Sequence, residues 1–194
     1  MKLRNLKEME DSMLLNFRNL TIRNATVDDA NLLSTWWKDG TIMAHAGFPN
    51  GINQTAESIA DSIKNDSDDT RRRLIIEIDK IPVGEMNYTN KGKNIAEIGI
   101  KICDLSNQDK GFGKIFLSML ISSLFNDLKY KKIILDTNLN NKRAQHVYEE
   151  LGFRQIRVNI DSWENQLGEL QSSVDYELYQ ENFVDFSNKT VTVE

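Results

Sequence analysis

The run Gln108-Asp109-Lys110-Gly111-Phe112-Gly113 stands between a strand-like stretch, Ile95 to Cys103, and an amphipathic helical stretch, Gly113 to Leu128. A glycine-bearing turn that opens a helix after a strand presents unpaired backbone N–H groups at the positive end of the helix dipole. Such a turn suits a phosphate or a similar anion. Three phosphate chemistries compete for it. A dinucleotide fingerprint needs a small residue three positions after the second glycine, and here that residue is Phe116. A magnesium-nucleotide loop needs a hydroxyl after Gly-Lys, but Gly113-Lys114 is followed by Ile115. What remains is Gln/Arg-x-x-Gly-x-Gly/Ala, which Gln108 to Gly113 satisfies.

Other reactive side chains are few. Cys103 is the single cysteine, so neither an internal disulfide nor a cysteine metal cluster can form. It has no evident histidine partner and reads as a buried structural thiol. His45 and His146 lie far apart without ligand spacing, so no metal is expected. A net charge of −5 and a pI near 5.2 argue against a general nucleic-acid grip and tilt weakly toward cationic partners. No run reaches the length of a membrane span, and charges interrupt the N-terminus where a signal peptide would need an apolar core. The expected location is the cytoplasm.

The elements that must position these residues follow from periodicity. The 194 residues, 40% of them hydrophobic, suit one domain with a substantial core. Leu3, Leu6, Met13, Leu14 and Phe17 recur near helical spacing and predict a short appended amphipathic helix over residues 1–18. Leu20 to Arg23 reads as a first strand. Thr26 and Asp29 approach a capping box for a helix facing inward with Ala30, Leu33 and Trp37. Gly40 to Asn53 reads as a loop, and Thr55 caps a helix carrying Ile59 and Ile63.

Leu74 to Ile78 and Val83 to Tyr88 form a hairpin across Asp79-Lys80. In the next strand Ile98, Ile100 and Ile102 share one face while Glu97, Gly99 and Lys101 share the other. The helix after Gly113 presents Phe116, Leu117, Leu120, Ile121, Leu124 and Phe125. Ile133 to Leu135 reads as a strand buried on both faces. Asn140 or Asn141 caps a last helix bearing Ala144, Val147, Tyr148 and Leu151, which stops at Gly152. Two alternating strands, with Ile156, Val158, Ile160 and then Val174, Tyr176, Leu178, complete an α+β domain over residues 19–185. Its sheet is mixed, mostly antiparallel and flanked by helices. Residues 186–194 read as a polar tail.

With these elements in place the chain resembles the GNAT superfamily of acetyl-CoA-dependent N-acetyltransferases. The likeness rests on three motifs in the family's order: Ala96-Glu97-Ile98-Gly99-Ile100, the turn Gln108 to Gly113, and Asn141-x-x-Ala144-x-x-x-Tyr148-x-x-x-Gly152-Phe153. Met43 to Phe48 looks most like the ribosomal-protein and aminoglycoside branch. The chain departs from the family where Cys103 to Asn107 lacks the usual proline. Asp109 also sets a negative charge beside the expected pyrophosphate, which Lys110 and Lys114 can offset.

The resemblance implies acetyl transfer from coenzyme A to a primary amine of a small molecule or peptide, in a monomer or homodimer. It implies that Gln108, Asp109, Lys110, Gly111, Phe112, Gly113 and Lys114 hold the pyrophosphate. It places the pantetheine arm beside Ile102 and Cys103, where a backbone N–H could serve the oxyanion, and it brings Asn141 to the cofactor. A lysine-like amine is neutral only about once in a few thousand molecules at neutral pH, so a base is needed. Glu97 is the candidate, because strand parity sends it away from the apolar Ile98/Ile100 face; as a plain strand glutamate it would face solvent or pair with Lys101. Tyr148 has the family's acid position, although a core tyrosine would show the same spacing. Asn141 as a simple helix cap would likewise look the same. Trp36, Trp37, His45, Phe48 and Trp163 offer an aromatic wall for the acceptor. The alternative is a noncatalytic acyl-CoA-binding module on the same fold.

Overall fold

A computed structural model describes residues 13–187, which build one eight-stranded sheet with helices on both faces. The strands are β1 (Leu14–Phe17), β2 (Leu20–Asn24), β3 (Arg71–Ile78), β4 (Ile81–Asn90), β5 (Ile95–Ile102), β6 (Lys132–Asn138), β7 (Arg154–Glu164) and β8 (Leu170–Tyr179). They lie in the order β1-β2-β3-β4-β5-β6-β8-β7, antiparallel throughout except for β5 and β6. The helices are α1 (Ala30–Lys38), α2 (Gly40–Met43), α3 (Ala56–Ile63), α4 (Phe112–Asn126) and α5 (Lys142–Glu150). Among the described residues no helix is long and apolar enough to cross a membrane.

Local chemistry accounts for the boundaries. Asp79 and Lys80 both take positive φ, 52° and 65°, between the paired residues Ile78 and Ile81. A two-residue turn of that hand matches strand twist and sets the hairpin register. Thr26 and Asp29 do form a capping box, and the Thr55 hydroxyl accepts from the Ser58 amide to start α3.

Burial divides the sheet into two faces. The expected α4 stripe is buried, with Phe116, Leu120, Ile121 and Leu124 fully so, and it packs on Leu74, Ile76, Met86 and Ile133. Ile75 points the other way and joins Ala30, Leu33, Trp36, Ile59 and Cys103 beneath α1 and α3. The period of two along β3 thus sends neighbouring isoleucines into separate cores.

Several sequence expectations need correction. Leu14 to Phe17 is not helical: it pairs with Leu20 to Arg23 as an edge strand, while the rest of the expected N-terminal helix lies outside the described residues. An edge strand supplies hydrogen bonds along its whole length, and these override weak helical spacing over four residues. On α1 the buried tryptophan is Trp36; Trp37 is only half-buried. The segment after α1 is not all loop, since α2 and a short 3-10 turn (Ala44–Ala46) fill part of it. Ile134 is half-buried, so β6 is not covered on both faces. On the edge strand β7, Ile156, Val158 and Ile160 alternate as expected yet stay exposed.

Candidate active site

The site begins where two strands part. β5 and β6 are paired only from Ile95 to Glu97 against Lys132 to Ile134, although β5 runs on to Ile102 and β6 to Asn138. Beyond Glu97 their edges separate and a cleft of about 860 Å³ opens, reaching from the α4 turn to α5 and the β7–β8 hairpin. Edge amides and carbonyls along the split are thereby exposed to a ligand rather than to a neighbouring strand.

At one end stands the glycine turn. Gly111 takes φ +79° as the residue before α4, and Asp109 takes φ +58°. The first amides of α4 have no intrahelical acceptors and aim the positive dipole end outward. A Cβ at Gly111 would meet nothing within 4 Å, and one at Gly113 would meet only Ile102 Cδ1 at 3.8 Å. Neither glycine is demanded by packing against protein, so the bare backbone leaves a cradle open to a ligand. The Asp109 charge is met by Arg143, whose Nη1 donates at 2.8 Å; the same guanidinium reaches Gln108 Oε1 at 3.4 Å. The expected counter-charges do something else. Lys114 Nζ bonds both carboxylate oxygens of Glu150 at 3.1 Å and sits 4.3 Å over the Phe186 ring. Lys110 and Phe112 are not among the cleft-lining residues.

The pantetheine expectations at Ile102 and Cys103 need refinement. The Ile102 carbonyl already accepts from Gln108 Nε2 at 2.8 Å. The Cys103 amide donates to Val83 O at 2.8 Å, so it is not free to serve an oxyanion. Cys103 is buried, and desolvation followed by the nearby Glu85 charge pushes its thiol up to about 12. A thiol so protonated is a poor nucleophile.

On the cleft floor, strand parity places Glu85 and Asn87 of β4 beside Lys101 and Gly99 of β5. Glu85 Oε1 accepts from Trp37 Nε1 and from Lys101 Nζ, each at 2.9 Å. Lys101 therefore serves Glu85 rather than Glu97. Glu97 pairs instead with Lys91, Nζ to Oε2 at 3.1 Å, and is more than a third exposed.

Asp136 was not anticipated. It lines the same cleft from β6, two residues beyond Ile134, which pairs with Glu97. Among the described residues it forms no ion pair and no hydrogen bond to another residue. Its side chain is exposed at the cleft surface; partial desolvation, then the charges of Glu97 and Asp175, raise its carboxyl above its ordinary value. Only the tertiary pairing of β5 with β6 reveals it; the sequence carries an aspartate after an apolar run and nothing more.

Tyr148 closes the inner wall. α5 starts at Asn141, whose side chain accepts from the Ala144 amide, so Asn141 does cap the helix and also lines the cleft. Two turns on, Tyr148 is buried between the rings of Phe153 and Tyr176, with centroids at 5.8 and 5.7 Å. Its hydroxyl has no hydrogen-bond partner among the described residues. Desolvation, then the Asp136 charge, raises the phenol well above its ordinary value and keeps it protonated. Of the expected aromatic wall, His45 and Trp163 line the cleft; Trp36 is core and Phe48 lies elsewhere on the surface.

The sequence and the fold are similar to those of known proteins. Residues 19–154 match the family profile described as an acetyltransferase (GNAT) domain. The chain belongs to the GNAT acetyltransferase family. It is 31% identical over 96 residues to a spermidine N(1)-acetyltransferase of Vibrio cholerae, a match covering 46% of this chain and 53% of the relative. The match thus spans about half the length of that curated relative. Two solved structures share the fold. One is spermidine N-acetyltransferase from Vibrio cholerae in complex with CoA and spermine, with TM-score 0.74 and 23% identity over 84% of this chain and 97% of that one. The other is Mycobacterium smegmatis RimJ in complex with CoA-disulfide, with TM-score 0.72 and 16% identity over 88% and 87%.

Proposed function

We propose that this protein transfers the acetyl group of acetyl-CoA to a primary amine of a small polycationic molecule by direct attack on the thioester. One observation carries the reading. The α4 glycine turn, an unpaired carboxylate (Asp136) and an unpartnered tyrosine hydroxyl (Tyr148) converge on the cleft opened by the parting of β5 and β6.

The residues present fit coenzyme A at that cleft. The α4 amides, with Gly111 and Gly113 leaving the approach clear, would bind the pyrophosphate. Arg143 would trade part of its hold on Asp109 for the phosphates, and Asn141 would face the same group. The cosubstrate supplies the activated acetyl thioester. The protein's own task is then proton management. Asp136, raised above its ordinary value and not tied up in an ion pair, takes the proton from the incoming ammonium, directly or through water. Glu97 holds the positive charge of the acceptor nearby. Tyr148 keeps its proton through the neutral range and can donate it to the leaving thiolate.

The acceptor class follows from charge. Glu97 and Glu85 lie on one face about four strand residues apart, roughly 13 Å at strand rise. Asp136 adds a third carboxylate. Lys101 holds Glu85 and Lys91 holds Glu97, so an extended amine whose charges displace those lysines would match the row, and the Vibrio relatives named for spermidine support that class. Release of free coenzyme A is the measurement, followed with a thiol reagent over a panel of polyamines, diamines and peptide amines. Binding of acetyl-CoA without acceleration by any amine would leave a binding module and end the enzyme reading.

A further inference from the structure

One amine in the cleft belongs to the protein itself. Lys101 lines the cleft from β5, and its Nζ donates to Glu85 Oε1 at 2.9 Å. Its side chain is 31% exposed, so it is open to the cleft rather than sealed in a core. An ammonium lies here against a carboxylate, beside the strand edge left bare where β5 and β6 part. An incoming acceptor would have to present itself in the same way.

Strand geometry sets its reach. Lys101 belongs to the part of β5 beyond Glu97, where β6 no longer pairs with it. A ligand arm laid along that bare edge takes the place of a missing strand, roughly 4.8 Å to one side of β5. On the other side, at the same spacing, runs β4 with Glu85. The swing that carries Nζ off Glu85 therefore brings it over the occupant of the gap by an equal reach. Counting on from the Glu97–Ile134 pair, Asp136 is level with Gly99. Lys101 stands two residues farther along its strand, roughly 7 Å, a span comparable with its own four-carbon stem and ammonium. Lys114, the other lysine among the cleft-lining residues, is held at the α4 end by both Glu150 oxygens and the Phe186 ring.

We infer that Lys101 is a self-modification site: with acetyl-CoA bound and no acceptor present, it takes the acetyl group onto its own Nζ. This rests on the acetyl-CoA reading of the cleft above. The Lys101 ammonium passes one proton to Glu85, its bonded carboxylate, and the freed lone pair attacks the thioester carbonyl. The C–N bond forms and the C–S bond breaks, its electron pair leaving with sulfur. The nitrogen's second proton ends on the departing thiolate, directly or by way of Tyr148. Coenzyme A leaves as the free thiol and Glu85 returns its proton to water. An amide does not give its acyl group up again, so each chain is modified once. Neutral Lys101 no longer holds Glu85, which leaves the cleft floor more acidic toward a cationic acceptor.

The test incubates the full chain with acetyl-CoA alone and maps acetylated residues by peptide mass spectrometry. One acetyl group per chain is expected, on Lys101, formed at least tenfold faster than on any other lysine. Its rate should saturate with acetyl-CoA, stay independent of protein concentration and fall when excess free coenzyme A is added. Lys101→Arg, which keeps a cation against Glu85, should lose that acetyl without gaining one elsewhere, its fold checked by melting. Acetyl spread evenly over exposed lysines would overturn the inference. So would labelling of Lys101 that neither saturates nor responds to free coenzyme A. An unmodified Lys101 beside rapid acetylation of spermine sinks the self-modification and leaves the transferase reading standing. Labelled Lys101 with no amine accepted does the reverse, and neither label nor turnover sinks both.

Discussion

Asp136 of β6 stands directly opposite Asp175 of β8 in the antiparallel register. Asp175 is compensated by Arg157, whose Nη2 lies 2.8 Å from Oδ2, and by Asn159. Asp136 has no such compensation and faces the cleft with Glu97 nearby. An arrangement that leaves one of two facing carboxylates unneutralised costs stability and is kept where a proton acceptor is useful.

That asymmetry gives opposite signs for activity and stability. Asp136→Asn is expected to lower kcat about 100-fold or more, within the usual range for a general base. The folded protein holds the Asp136 proton more tightly than the unfolded chain, because its carboxyl is raised. The group's contribution to stability is therefore full below the unfolded pKa and lost as pH rises through the folded value. Asn cannot ionise, so the variant should melt higher than wild type at neutral pH and show little difference in strong acid. Melting scans across pH check this, and a lower neutral-pH melting temperature would contradict it.

The pH profile of the wild type should carry the same mark. If Asp136 is the base, the acidic limb of kcat is shifted upward from that of an ordinary aspartate and disappears in Asp136→Asn. Glu97→Gln should keep the limb but move it to lower pH, because the Glu97 charge no longer raises Asp136, and should raise the KM for a cationic acceptor. Steady-state rates over a pH series separate the two carboxylates.

Tyr148→Phe keeps the ring contacts with Phe153 and Tyr176 and removes only the hydroxyl. Turnover should fall roughly 10- to 1000-fold, with affinity for coenzyme A within about twofold of wild type. Calorimetry beside initial rates is the check; unchanged turnover would remove the hydroxyl from the mechanism.

Gly113→Ala is a test of the cradle. The nearest protein atom to its new Cβ is Ile102 Cδ1 at 3.8 Å, so the fold accepts the methyl. Alanine within the first turn should even stabilise α4 by about 0.5–1 kcal/mol. Affinity for coenzyme A should nevertheless fall, by an expected tenfold or more, because the methyl occupies the approach to the amides. A rise in melting temperature with a loss of binding is a combination that general damage would not produce.

Away from the cleft, Asp66 and Arg73 form a buried pair, their side chains 8% and 6% exposed, with Nη2 to Oδ1 at 2.7 Å and Nε to Oδ2 at 2.9 Å. Among the described residues, Asp66→Ala leaves the buried guanidinium with Ser62 as its one side-chain partner. A loss of about 3–5 kcal/mol in urea unfolding is expected.

Much of this architecture was legible from spacing. The α4 stripe, the β3–β4 hairpin and the Asn141 cap each rest on interactions within a few residues, so their periods and turn chemistry appear directly in the sequence. Glu97 could be placed by parity for the same reason. Its partner could not: Lys101, two turns of the pleat along the same face, was the local choice, but Glu85 on the neighbouring strand claims it. Leu14 to Phe17 was misread because a four-residue edge strand is too short to show its own period, and its conformation is imposed by β2.

By itself the sequence determined an α+β chain whose glycine turn opens a helix after a strand, and the ordered motifs that carry its family resemblance. These are local matters: backbone freedom at Gly111, capping at Asn141, and alternation along each strand. The tertiary structure alone decided that β5 and β6 part after Glu97, that Asp136 emerges uncompensated in the gap, and that Gln166 reaches back to Gly47. Each depends on which strand edges and loops meet across many residues of chain, a choice made by the packing of the whole sheet rather than by any neighbouring side chain.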